Sequence, residues 1–354
     1  MKKILTLLLC AFMALGAVAC GGGEENKEAD YKLGMGIVVN MDSSATGNAQ
    51  VDATVATVVT DKDGKIVACR IDVAQNKMAV ADGAVDTAKV FETKMELGDR
   101  YGMSTSPYSP DNNGDGIVKE WDDQTKIFEE YVVGKTGAQV EALELQEVGG
   151  HMISKDDALL TAGCTIQITD YIEAIVKACA DEQGMTFKTA KEFTLGVAAK
   201  TTAEESTAAT AEAEGSVKMY SDFAATVIAE GKILCALNDA IQPAIAINAA
   251  GEIGEKTYLG TKRERKEGYG MAPALNYGMD WNGDGKVLEW YIQSAEFSKY
   301  VVGKTAAEVE AMPTKEVEGK GYIISSEDAL LSAGCTIQIT SIKAVMAQAA
   351  KNAR

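Results

Sequence analysis

Histidine is almost missing from this chain of 354 residues; His151 is the sole one, and no Cys-x-x-Cys pair occurs. Structural zinc and haem attachment therefore have no support. Cysteines are few. Beyond Cys20 the chain carries Cys69, Cys164, Cys179, Cys235 and Cys335, an odd set without disulfide-framework spacing. Cys69, Cys179 and Cys235 sit in apolar surroundings and read as small core residues. Basic residues are also scarce, with 34 Lys and Arg against 52 Asp and Glu. Such a surface repels nucleic acid and anionic lipid heads, which excludes both as main partners. Gly134-Lys135-Thr136 and Gly303-Lys304-Thr305 lack the upstream glycine of a phosphate loop, since Glu129 and Ser298 stand there. Gly34-Met35-Gly36 likewise lacks the third glycine of a dinucleotide loop.

One long apolar run is present, from Ile4 to Ala19 after Lys2 and Lys3. It is too short for a membrane span and is flanked like a secretory signal. Its end, Ala17-Val18-Ala19-Cys20, resembles the lipobox of bacterial lipoproteins. That resemblance implies a signal peptide over 1–19, cleavage before Cys20 and diacylglycerol on its sulfur. Residues 20–30, rich in glycine and charge, read as a flexible tether. The expected address is the extracytoplasmic face of the cell membrane, held by two or three acyl chains.

The remaining chain repeats itself. Residues 157–169 and 328–340 differ by one exchange, Thr161 for Ser332. Tyr101-Gly102-Met103 matches Tyr269-Gly270-Met271, Glu120-Trp121 matches Glu289-Trp290, and Tyr131-Val132-Val133-Gly134-Lys135-Thr136 matches Tyr300-Val301-Val302-Gly303-Lys304-Thr305. The order of landmarks is kept, which points to a duplicated α+β domain, one copy over 31–184 and the other over 185–354. In each copy a hairpin is expected, turning at Asp61–Gly64 and at Glu230–Lys232. A helix should then bury Trp121, Phe128 and Val132, or Trp290, Phe297 and Val301. Gly134 and Gly303 should end it, and Thr136 to Gln139 and Thr305 to Glu308 form capping boxes for a further short helix.

Two Asp-x-Asn-x-Asp-Gly loops place Asp111, Asn113 and Asp115, and Asp280, Asn282 and Asp284, at the first ligand positions of a calcium loop. The twelfth position holds Asp122 or Tyr291, and Glu120 and Glu289 come two residues early. A complete EF-hand is not expected. Either a shortened loop binds calcium loosely, or a tight Asx turn caps the tryptophan helix, and the second is the preferred reading.

The repeated block contains Gly163-Cys164-Thr165 and Gly334-Cys335-Thr336. The glycines would let a bulky group approach the backbone, the threonines offer hydroxyls, and a helix N-terminus beyond would favour a phosphate. From these residues alone, a buried strand-turn-helix core is the simpler reading.

The block resembles the flavinylation element of the FMN-binding domain family, in which FMN is carried on threonine through a phosphoester. The order of motifs along both halves is similar to that of flavinylated surface lipoproteins of extracellular electron transfer in Gram-positive bacteria. The resemblance implies two covalent FMN groups, on Thr165 and Thr336, with Gly163, Gly334, Cys164 and Cys335 beside them. It also implies a flavin transferase for maturation, a membrane redox donor and a small-molecule or mineral electron acceptor. Such a chain is an electron carrier more than a self-contained enzyme, with its domains moving on the tether. Tyr101, Tyr269, Met103 and Met271 are either candidates to pack near the flavin ring or ordinary core residues. The sequence departs from the family pattern where the aspartate six residues before the threonine is Leu159 or Leu330; Asp157 and Asp328 lie eight before. The rival expectation is a non-redox surface lipoprotein, a binding or scaffold module that uses the calcium-like loops or the acidic face.

Overall fold

In a computed structural model, which describes residues 29–106, 111, 114, 116–272, 287–318 and 321–354, the chain is α+β, with small antiparallel sheets and short helices. The first half runs β1 (Ala29–Asn40), β2 (Asn48–Asp61), β3 (Ile66–Ala79), α1 (Lys94–Leu97), α2 (Trp121–Val132), α3 (Gly137–Glu141), β4 (Leu145–Val148), β5 (His151–Ser154), α4 (Asp157–Ala162) and α5 (Thr169–Ala180). After β6 (Met185–Thr189), the second half runs β7 (Thr194–Thr202), β8 (Gly215–Lys218), β9 (Tyr220–Ala229), β10 (Lys232–Ile241), β11 (Ala244–Ile247), β12 (Ile253–Thr257) and α6 (Lys262–Arg265). It closes with α7 (Trp290–Tyr300), α8 (Ala306–Glu310), β13 (Thr314–Val317), β14 (Tyr322–Ser325), α9 (Asp328–Ser332) and α10 (Thr340–Lys351). With β1 set against β7, the halves follow one plan. The small sheet β12-β11-β8 is an addition of the second half.

The expected hairpins form as β2–β3 and β9–β10. The helix faces also behave as their spacing predicts: Trp121, Phe128, Val132, Trp290, Phe297 and Val301 are all buried. Both capping boxes close, with Thr136 and Thr305 as the caps.

Alternation along the strands creates four layers. In β1, Leu33, Met35 and Ile37 point into a core shared with Leu195, Val197, Phe223, Val227 and Leu237 of the other half. The sheet β3-β2-β1-β6 therefore packs on the sheet β10-β9-β7. The outer face of the first sheet carries Ala56, Val58, Ile71 and Val73 against α2 and α5, and that of the second carries Ala198, Ala224 and Ala236 against α7 and α10. Gly34 and Gly36, on the outer face of β1, admit α5 at backbone distance: a Cβ at either would lie 2.0 or 2.1 Å from the carbonyl oxygen of Ala178 or Ala174. Gly196 does the same for α10, 1.9 Å from the oxygen of Ala349.

The halves are joined at more than one layer. Residues after position 184 form β6, which pairs with β1. Asp181, at the end of α5, forms an almost fully buried ion pair with Arg263 of α6 at 3.0 Å. Glu129 in α2 is fully buried between Arg70 and Arg354, the latter arriving from beyond α10. A common apolar core and these ion pairs oppose independent motion of the halves, so a tether would carry both together.

Candidate functional site

Each half forms a partly open cavity between the hairpin, the tryptophan helix and the repeated block. The first is about 380 Å³ and the second about 540 Å³, volumes typical of small-molecule sites. Equivalent side chains line both: Thr165 and Thr336, Tyr101 and Tyr269, Met103 and Met271, Trp121 and Trp290, Gln124 and Gln293, Lys94 and Lys262. Among the described residues, none of one half lines the other half's cavity.

The repeated block is first of all a way to stop a helix. At the end of α4, the Gly163 N–H donates to Leu160 O and the Cys164 N–H to Leu159 O, both at 3.0 Å. Gly334 and Cys335 repeat the pair at 3.0 and 2.9 Å after α9. This is a Schellman motif, with glycine in the left-handed region at φ 92° and 77° and the following cysteine packed against the helix's last buried leucine. Gly163 and Gly334 are thus required by the turn, where a Cβ would also strike Lys119 or Leu288. Neither glycine lines a cavity, and the cysteines face the core. Burial pushes both thiols, Cys164 and Cys335, up to about 12, which removes them as nucleophiles. Leu159 and Leu330 are buried under the motif, and Asp157 and Asp328 are exposed in the first turns of α4 and α9.

The motif delivers the next residue, threonine, to a glutamine on the tryptophan helix. Gln124 Oε1 accepts the Thr165 N–H at 2.8 Å and its Oγ1 hydroxyl at 3.3 Å; Gln293 does the same for Thr336 at 2.7 and 3.3 Å. The glutamine is itself fixed. Its Nε2 donates to Lys119 O at 2.8 Å or Leu288 O at 2.7 Å, and meets Met103 Sδ or Met271 Sδ at 3.3 Å. Glu120 and Glu289 hold the Tyr-Gly-Met turns by accepting the N–H of Met103 and of Met271, each at 2.9 Å.

A lysine closes the aromatic side. Lys94 Nζ lies 4.9 Å from the Tyr101 ring centre and 5.4 Å from Trp121, and Lys262 Nζ lies 5.2 Å from both Tyr269 and Trp290. Each lysine opens a short helix capped by Thr93 or Thr261. A buried aspartate anchors that helix start: Asp72 Oδ1 accepts Met95 N–H at 3.2 Å, and Asp239 Oδ1 accepts Arg263 N–H at 3.0 Å. Burial raises both carboxyls to about 6.

The cavities differ in where they keep acid. The first has Thr54 on the strand and Asp170 on α5; at the matching positions the second has Asp222 on the strand and Ser341 on α10. Burial raises the carboxyls of Asp170 and Asp222 alike. The first cavity also contains Asp52 and the exposed His151, and Tyr322 stands where His151 does.

Sequence reasoning missed Gln124, Gln293, Lys94 and Lys262. A signal was there, because each glutamine follows the matched Glu-Trp at one offset and each lysine precedes the matched tyrosine at another. Of the calcium-loop residues, Asp111 is described, and both its carboxylate oxygens accept backbone N–H groups, from Gly114 at 2.8 Å and Gly116 at 2.7 Å. Asp111 thus holds the loop backbone three and five residues on. Asn113, Asp115, Asp280, Asn282 and Asp284 lie outside the described residues, as does Cys20. Among the described residues no cluster of three His, Cys, Asp or Glu side chains is arranged to hold a metal, and no helix is long and apolar enough to cross a membrane. Compared with protein families, curated proteins and solved structures, the chain matches none.

Proposed function

We propose that this chain is a lipid-anchored, extracytoplasmic electron carrier that holds FMN through phosphoesters on Thr165 and Thr336. The observation that carries the reading is the pairing of cavities. The two threonines singled out by resemblance lie on the walls of equivalent cavities, each beside the same Gln, Trp, Tyr, Met and Lys. The residues present fit the group. Trp121, Tyr101 and Met103, with Trp290, Tyr269 and Met271, give flat apolar walls for an aromatic ring. Lys94 and Lys262 offer a cation to a phosphate or to an anionic ring edge. The bound flavin would supply one- and two-electron transfer, while the chain sets its exposure and potential.

The protein's own part is retention and placement. A covalent link keeps the cofactor where free flavin would be lost to the surroundings. The partners this implies are a flavin transferase, a redox donor in the membrane, and a soluble or mineral acceptor.

The test is expression of the full chain with a flavin transferase, followed by in-gel fluorescence after denaturation and mass analysis of the peptides containing Thr165 and Thr336. Thr165→Val and Thr336→Val should each remove one flavin, and the double variant both. Colourless protein with both peptides unmodified would sink the reading.

A further inference from the structure

We infer that Gln124 and Gln293 are positioning residues that prepare Thr165 and Thr336 for covalent modification, an inference that rests on the phosphoester reading. One carbonyl oxygen accepts both hydrogens that each threonine offers, the N–H at 2.8 or 2.7 Å and the hydroxyl at 3.3 Å. Two bonds to one oxygen fix the threonine side chain and hold Oγ1 at the wall of the cavity that each threonine lines. The amide cannot turn over without loss, because its NH₂ faces the carbonyl of Lys119 or Leu288 while its oxygen faces the threonine N–H. Gln124 and Gln293 are each 1% exposed, so the acceptor oxygen of each clamp is shielded from bulk solvent. The two copies agree in partners and lengths although the carboxylates of the same cavities have exchanged elements. The clamp is held constant where neighbouring chemistry has drifted.

Modification of this kind needs an activated donor, a flavin nucleotide in pyrophosphate linkage. Threonine Oγ1 attacks the flavin-side phosphorus, the Oγ1–P bond forms, and the P–O bond of the pyrophosphate breaks. The nucleoside monophosphate leaves with that electron pair, the hydroxyl proton passes to solvent, and no oxidation or reduction occurs. The longer hydrogen bond of the clamp is given up in the product, and the shorter one, from the threonine N–H, remains.

Two threonines on one chain supply the control. The full chain is expressed with a flavin transferase, and the initial rate of modification at each threonine is followed by peptide mass analysis. Gln124→Met, which keeps the volume and loses the acceptor, should slow modification of Thr165 about tenfold and leave Thr336 at the wild-type rate. Gln293→Met should do the reverse. Gln124→Glu restores an oxygen acceptor and should recover modification of Thr165, now rising with pH as the carboxyl ionises, whereas Thr336 keeps its wild-type pH profile. A role in packing alone would not produce that split. Normal modification of Thr165 in Gln124→Met, or loss at both threonines from either single Met variant, overturns the inference while the flavin reading stands. Wild-type protein unmodified at both threonines overturns both.

Discussion

Asp72 and Asp239, which anchor the lysine-bearing turns, should cost the protein stability as pH rises from about 4 to about 6, and Asp72→Asn with Asp239→Asn should remove that cost. The side chains are 1% and 5% exposed, and burial raises each carboxyl from 3.8 to about 6. A folded-state value above the unfolded one means that the folded protein holds the proton more tightly across this window. The stabilisation from that proton is complete below about pH 4, declines through the window and is absent above about 6. Two pH units correspond to about 3 kcal/mol per site, and the sites, in different halves, should add. The variants keep the essential contacts, because an amide oxygen still accepts the N–H of Val73 and Met95, or of Ala240 and Arg263, which Oδ1 now takes at 2.7 to 3.2 Å. Other buried carboxyls, such as Glu129 and Asp222, also have raised values, so the quantity to read is the stability difference between variant and wild type. Urea unfolding at intervals from pH 4 to 7.5 should show that difference growing in favour of the double variant by several kcal/mol. A difference that stays flat with pH, or a double variant less stable at pH 7, would refute the assignment of these two groups.

Gly34→Ala and Gly196→Ala should each lower the melting temperature sharply, because the added carbon would sit 2.0 or 1.9 Å from a helix carbonyl oxygen; the cost should reach or exceed about 3 kcal/mol, and unchanged thermal unfolding would contradict the close helix approach. Arg263→Met leaves Asp181 buried without its cation and should destabilise by about 3–5 kcal/mol, read by chemical denaturation, with Asp181→Asn in the same background recovering part of the loss. In flavin-loaded protein, Lys94→Met should make the flavin at Thr165 harder to reduce, since a cation that favours the reduced anion is gone; a redox titration on a Thr336→Val background reads this, and an unmoved potential would remove Lys94 from the cofactor's surroundings.

The hairpins, the tryptophan helices and the capping boxes were legible because each is written in local sequence: period, turn residues and cap pairs. The repeated block was legible as important, and its residues left two readings open, a buried core turn or the neighbours of a ligand. In the structure its glycine ends a helix and its cysteine fills the core. A Schellman turn and a cofactor loop both call for a small residue at that point, and only the hydrogen bonds to Leu159 and Leu160 separate them. The clamp at Gln124 was hidden for a different reason. Its partners are spread over more than forty residues of chain, and a glutamine in a helix carries no local mark of what it will meet. Likewise the core shared by β1 and β7 follows from which strand face turns inward, and Gly34 and Gly36 reveal that face only once the helix is seen against it.

The two halves are welded in structure but separate in chemistry, and the distinction follows from where each layer faces. The inner faces of the sheets make the common core, so neither half can expose its inner strands without uncovering Leu33, Val55, Phe223 and Val227. The cavities lie on the other side, between each sheet's outer face and its own helices, and among the described residues draw no side chain from across the core. A substitution in one cavity therefore leaves the second cavity's residues untouched, while a substitution in the core should disturb both. That separation lets the first cavity carry its acid on a helix, Asp170, and the second on a strand, Asp222, with no counterpart required across the core. It also sets a constraint on electron transfer in the proposed reading: with the halves fixed to one another, the spacing of two bound flavins is set by the fold, and only the approach to donor and acceptor is left to the tether.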